Sequence, residues 1–140
     1  MPGDKIQMIL GQLFINGKSV RKERIENFFD ESVTGTVKEI PQYVETLPNG
    51  VSYTVLDEYR HGPLDNTQVY VVPKGHYFFM GDNRDNSRDS RTPEVGFVPK
   101  INLIGKAQII FFSHNSAASF FEFWKWHKSI RFERIGKAIE

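Results

Sequence analysis

Three aspartates and three arginines alternate through Gly81-Asp82-Asn83-Arg84-Asp85-Asn86-Ser87-Arg88-Asp89-Ser90-Arg91. Asp82, Asp85 and Asp89 bring carboxylates, the arginines bring planar donors, and Ser87 and Ser90 bring hydroxyls. Opposite charges at this spacing can satisfy one another without an outside ion. A dense, self-paired polar cluster either holds a loop rigid or holds a catalytic group in position. The apolar segment Tyr77-Phe78-Phe79-Met80 directly precedes the run. A strand is therefore expected to deliver these groups to one place.

Other chemistries fit less well. Asp85, Ser87 and Asp89 alternate like the ligands of an EF-hand, but the glycine expected at the sixth position would be Ser90 and the bidentate glutamate at the twelfth would be Gly96. The neighbouring arginines would also repel a cation. Ser19-Val20-Arg21-Lys22 matches a Ser-x-x-Lys pattern, but the companion motifs that this chemistry needs do not occur. His61, His76, His114 and His127 stand far apart without ligand spacing, and no glycine-rich phosphate loop is present. With no cysteine, thiolate nucleophiles, thiolate metal sites and disulfides are excluded. No metal and no cofactor are expected.

The chain has 140 residues, which suits one domain with a small subdomain. Lys+Arg 18 against Asp+Glu 17 gives a net charge of +1 and argues against a nucleic-acid partner. No apolar run approaches the ~18–20 residues of a membrane-spanning helix, and Met1-Pro2-Gly3-Asp4-Lys5 does not read as a cleavable signal.

The elements that must position the polar run are mostly strands and turns. Gln12 to Ile15 leads through Asn16-Gly17, a strong hairpin signal, to Lys18-Ser19-Val20. Tyr43 to Leu47 and Val51 to Leu56 flank Pro48-Asn49-Gly50 and nearly alternate, as in a sheet with one wet face. Gln68 to Val72, His76 to Met80 and Ala107 to Phe112 read as further strands, whereas Lys22 to Lys38 is charged and weakly periodic and Glu58 to Gln68 reads as loop. A mainly β fold is expected, with 18–72 as a hairpin-rich insertion between 1–17 and 73–140. In the tail, Phe120-Phe121-Glu122-Phe123-Trp124-Lys125-Trp126 is dense in aromatics, and basic residues follow it. Such a tail either packs on the sheet as a lid or meets a membrane surface through Trp124 and Trp126.

The run Gly81 to Arg91 resembles the last signature box of bacterial signal peptidase I, Gly-Asp-Asn-Arg-Asp-Asn-Ser-x-Asp-Ser-Arg, at every defined position. Pro73 to Met80 resembles the strand before that box, and Gly96-Phe97-Val98-Pro99 and Gly105-Lys106-Ala107 resemble segments after it. Pro2-Gly3-Asp4 resembles the end of an earlier box, roughly Lys-Arg-Val-x-Gly-x-Pro-Gly-Asp.

The resemblance implies a membrane-bound serine endopeptidase of the bacterial plasma membrane, with its catalytic part on the outer face. Such enzymes remove signal peptides from exported preproteins with a serine nucleophile and a lysine base. A lysine of pKa about 10.4 is protonated at neutral pH. Burial lowers that value, and hydrogen bonds fix the amine. Carried over by position, Ser87 would hydrogen-bond the lysine ammonium, Gly81 would leave room for its side chain, and Asp89 and Arg91 would pair and brace the loop. Asp82, Asn83, Arg84 and Ser90 would complete the supporting network. Aligning Pro2-Gly3-Asp4 on the earlier box places the lysine, and the serine further upstream, before Met1. The expectation is therefore a partial signal-peptidase-type antiparallel β catalytic domain without nucleophile or base, inactive alone. The alternative is a non-catalytic remnant that binds signal peptides or a membrane surface.

Overall fold

The computed structural model describes residues 1–31, 36–59 and 61–105. The predicted strand at 107–112 and the aromatic tail lie outside the described residues. Two compact units partition the chain, Met1–Phe28 with Ile40–Ile104, and Phe29–Glu39 with Gly105–Glu140. The fold is mainly β, in antiparallel sheets.

In the first unit, β1 (Lys5–Ile9) and β2 (Gln12–Ile15) form a hairpin that pairs Met8 with Leu13 and Ile6 with Ile15. The sequence reading did not single out β1, because its turn, Leu10-Gly11, carries no Asn-Gly or Pro signal. Both turn residues nevertheless adopt positive φ, 50° and 72°. This is the backbone a two-residue hairpin turn needs to match strand twist. The expected Asn16-Gly17 turn does the same and leads into β3 (Lys18–Ser19), which returns beside β2.

Along β1 the side chains alternate with period two, so Ile6 and Met8 face inward while Lys5 and Ile9 face out. Ile6, Met8, Leu13, Val20 and Val72 make the buried core, with Tyr70, Phe78, Met80 and Phe97 packed against it. Tyr70, Phe78 and Phe97 form an aromatic row with ring centroids 5.1 and 6.0 Å apart.

A second sheet has the order β4-β7-β8, from β4 (Arg21–Arg24), β7 (Gln42–Thr46) and β8 (Ser52–Leu56). The expected hairpin around Pro48-Asn49-Gly50 is β7–β8, with Glu45 opposite Tyr53 and Tyr43 opposite Val55. Between β4 and β7 lie β5 (Phe28–Glu31) and β6 (Val37–Ile40), which pair with each other.

Two predicted strands are shorter than read. Of 68–72 only β9 (Tyr70–Val71) pairs, with β1. Just before it, side chains replace the ladder: Met8 N donates to Thr67 Oγ1 at 3.0 Å and Leu10 N to Asn66 Oδ1 at 2.9 Å. Of 76–80 only β10 (His76–Tyr77) pairs, with β11 (Val98–Pro99), which runs into a short 3-10 turn at Lys100–Asn102. Phe79 is claimed instead by the polar run, its N–H donating to Ser90 Oγ at 2.9 Å and its carbonyl accepting from Ser90 N at 3.0 Å.

Candidate functional site: a braced polar loop

The loop Gly81–Arg91 folds back on its own approach segment and lies along β8. Leu56 N donates to Asp82 O, and Arg84 N donates to Leu56 O, each at 2.8 Å. This makes a parallel bridge between Leu56 and Asn83. Polar residues can sit here in the interior because nearly every group they bury meets a partner.

Asp89 and Arg91, both buried, form the first brace. Arg91 Nε donates to Asp89 Oδ1 at 2.9 Å and Nη2 to Asp89 Oδ2 at 2.8 Å, a two-pronged pair. Arg91 N and Gly81 N also donate to the Asp89 carboxylate, at 3.0 and 2.8 Å. Burial works to raise the Asp89 pKa, but these donors and the guanidinium charge outweigh it and hold the carboxyl below its usual range. Arg91 Nη2 further donates to Arg84 O at 2.7 Å, and Tyr70 of the aromatic row donates its hydroxyl to Arg91 O at 3.0 Å. The loop is thus tied to the core from both ends.

The second brace is absent from the sequence reading. Arg84, 2% exposed, reaches not to an aspartate of its own loop but to Glu45 of β7, which is fully buried. Its Nη1 and Nη2 donate to Glu45 Oε1 and Oε2 at 2.8 and 2.5 Å. Tyr53 of β8 donates its hydroxyl to Glu45 Oε2 at 3.0 Å. Burial, then the Glu45 carboxylate, push the Tyr53 hydroxyl up to about 12. The signal that could have found Glu45 is its place on the alternating hairpin, where a carboxylate shares a face with Tyr43 and Tyr53.

Between the braces, Gly81 and Ser87 meet. A Cβ built on Gly81 would lie 1.8 Å from Ser87 Oγ and 2.4 Å from Ser87 Cβ, so only glycine fits against this serine. Ser87 is half-buried and its hydroxyl has no hydrogen-bond partner among the described residues. Ser90 spends its hydroxyl on Phe79, Asp82 accepts from Asn83 N at 2.9 Å, and Asn83 accepts weakly from the Asn86 amide at 3.3 Å. Arg88 is exposed. Among the described residues the Ser87 hydroxyl is thus a neutral polar group of the loop left without a partner, as Arg91 Nη1 is among its charged ones, and it can accept from an ammonium or donate to a neutral amine. The loop itself offers no nucleophile–base pair.

The structure also separates groups that spacing had placed together. Asp85 turns away from Asp89 and accepts Glu58 N and Tyr59 N, at 2.7 and 3.1 Å. The alternating triplet Asp85, Ser87, Asp89 is not a shared ligand set. Ser19 is exposed on β3, while Lys22 on β4 pairs with Asp57 and donates to Gly11 O at 2.9 Å.

The sequence matches the family described as signal peptidase, peptidase S26, over residues 1–112. The chain belongs to the peptidase S26 family. It is 43% identical to the signal peptidase I of Rickettsia typhi over 122 residues, covering 81% of this chain and 43% of that protein. With the signal peptidase I of Rickettsia bellii it shares 39% identity over a 150-residue alignment, 96% of this chain and 50% of that protein. The chain spans about half the length of the curated relatives it matches. Among the described residues no helix is long and apolar enough to cross a membrane.

Proposed function

We propose that this chain supplies the supporting part of a signal peptidase I, an endopeptidase that cleaves signal peptides from exported preproteins with a serine nucleophile and a lysine base. The observation that carries this reading is the Ser87 hydroxyl, without a partner among the described residues and pressed against the bare Cα of Gly81 between two buried ion pairs. A general base must be uncharged to accept a proton, and a lysine is uncharged near neutral pH only when it is desolvated and oriented. A fixed hydroxyl with no other partner orients such an amine without adding a charge that would raise its pKa. In this role Ser87 is a positioning residue, as are Gly81, Asp82, Asn83, Arg84, Asp89, Ser90 and Arg91. We place the working enzyme at the outer face of the bacterial plasma membrane, with Trp124 and Trp126 as membrane contacts.

The test is a chimera in which this chain replaces the matching part of the Rickettsia typhi signal peptidase I. The chimera should cleave a preprotein in detergent micelles. Ser87→Ala should lower kcat by about 10- to 100-fold and move the acidic limb of the kcat–pH profile upward, because an unheld amine keeps its proton to higher pH. A folded chimera without cleavage, or a Ser87→Ala profile equal to the parent's, would overturn the reading.

A further inference from the structure

Three carboxylates that are far apart in sequence meet beside the β1–β2 turn. Asp57, Asp65 and Asp85 each bring a ligand atom to within 4.8 Å of the others. Each anchors its Oδ2 atom on the protein. Asp57 Oδ2 takes the Lys22 ammonium. Asp65 Oδ2 accepts Gly62 N at 2.6 Å, and Asp85 Oδ2 accepts Glu58 N and Tyr59 N. No Oδ1 of the three has a hydrogen-bond partner among the described residues. For Asp57 this is costly, since its side chain is only 10% exposed and its Oδ1 is buried without a partner. One glycine leaves room here: a Cβ on Gly62 would lie 2.7 Å from Asp85 Oδ1.

We propose that Asp57, Asp65 and Asp85 form a calcium site, their Oδ1 atoms the ligands and their anchored Oδ2 atoms fixing the geometry. One oxygen held by a backbone N–H and the other free is how ligating carboxylates are oriented from behind. The three carboxylates with Lys22 carry a formal charge of −2, which one divalent cation neutralises. Calcium accepts irregular sets of carboxylate oxygens at about 2.3–2.6 Å, whereas magnesium demands near-ideal octahedral geometry at about 2.0–2.1 Å and gives up its waters reluctantly. An open groove of about 860 Å³, lined by Gly11, Lys22, Asp57 and His61 among others, gives water and a hydrated ion a way in. Three carboxylates opposed by one lysine suit affinity in the range of about 10⁻⁴–10⁻³ M. The site is distinct from the alternating triplet of the sequence, and it does not depend on the peptidase reading.

The experiment is a calcium titration of the 140-residue chain followed by thermal melting, with magnesium and chelator as arms. Calcium at about 10 mM should raise the melting temperature by about 3–10 °C over chelator, and magnesium by less than half of that. Asp65→Asn keeps the acceptor for Gly62 N, so it should fold. It should melt above the parent in chelator, because a buried charge is gone, and it should lose the calcium response. A parent that does not respond to calcium, responds equally to magnesium, or passes its response unchanged to Asp65→Asn would overturn the proposal. A direct heat of calcium binding to the parent, absent in Asp65→Asn, would give the same answer without relying on melting.

Discussion

Removing Arg84 tests whether the loop is held by a buried charge pair. In Arg84→Met the side chain keeps its length and apolar stem, but Glu45 loses both guanidinium donors and keeps only the Tyr53 hydroxyl. Glu45 is fully buried, so water cannot replace the lost donors without opening the sheet. Breaking one partner of such a pair costs about 3–5 kcal/mol, since a desolvated charge is left uncompensated. Arg84 Nε also donates to Gly81 O at 3.2 Å, and losing that bond adds about 1 kcal/mol. The sum is roughly 4–6 kcal/mol, a large part of the ~5–15 kcal/mol that holds a typical domain folded. The double variant Arg84→Met/Glu45→Leu removes both charges and leaves without those partners only the Tyr53 hydroxyl and the Gly81 carbonyl. It should recover most of the loss and fall within about 1–2 kcal/mol of the parent. Urea unfolding followed by far-ultraviolet circular dichroism of the parent, both single variants and the double variant closes the cycle. If Arg84→Met costs under about 1 kcal/mol, or the double variant is as unstable as the two single losses added, the buried-pair account is wrong.

Two more perturbations probe neighbouring contacts. Gly81→Ala should cost about 1–3 kcal/mol by driving a methyl into Ser87, and Ser87→Gly in the same chain should restore most of it; urea midpoints check this, and additive losses would refute the contact. Tyr53 should titrate near about 12 in tyrosinate absorbance, and Tyr53→Phe should erase that late step. Because the folded pKa of Tyr53 lies above the unfolded value of about 10, its stabilising share is whole below pH ~10 and is lost as pH rises towards about 12. An alkaline unfolding profile identical in Tyr53→Phe would contradict this.

Local chemistry made much of the molecule legible in advance. Asn16-Gly17 and Pro48-Asn49-Gly50 select tight turns whatever surrounds them, so the β2–β3 and β7–β8 hairpins stand where they were read. The Leu10-Gly11 turn was missed because a leucine at φ 50° is held there by the pairing of β1 with β2, not by its own preference. Strand ends were misjudged at Gln68 and Phe78 for a related reason. There, side chains of Asn66, Thr67 and Ser90 take the N–H groups that a strand partner would have taken.

The sequence by itself determined the β character, the two tight hairpins and the family, because each rests on residues a few positions apart or on one contiguous run; the Asp89–Arg91 pair was implied by the resemblance to that family. Only the tertiary structure decided where the remaining charges go. Arg84 chooses Glu45, 39 positions away, over the aspartates beside it. Asp85 leaves its own run to join Asp57 and Asp65. Spacing along a chain says which groups can meet cheaply, but burial decides which must meet. Once β7 and β8 carry Glu45 out of water, the guanidinium that follows it inside is the one the fold delivers, not the one nearest in sequence.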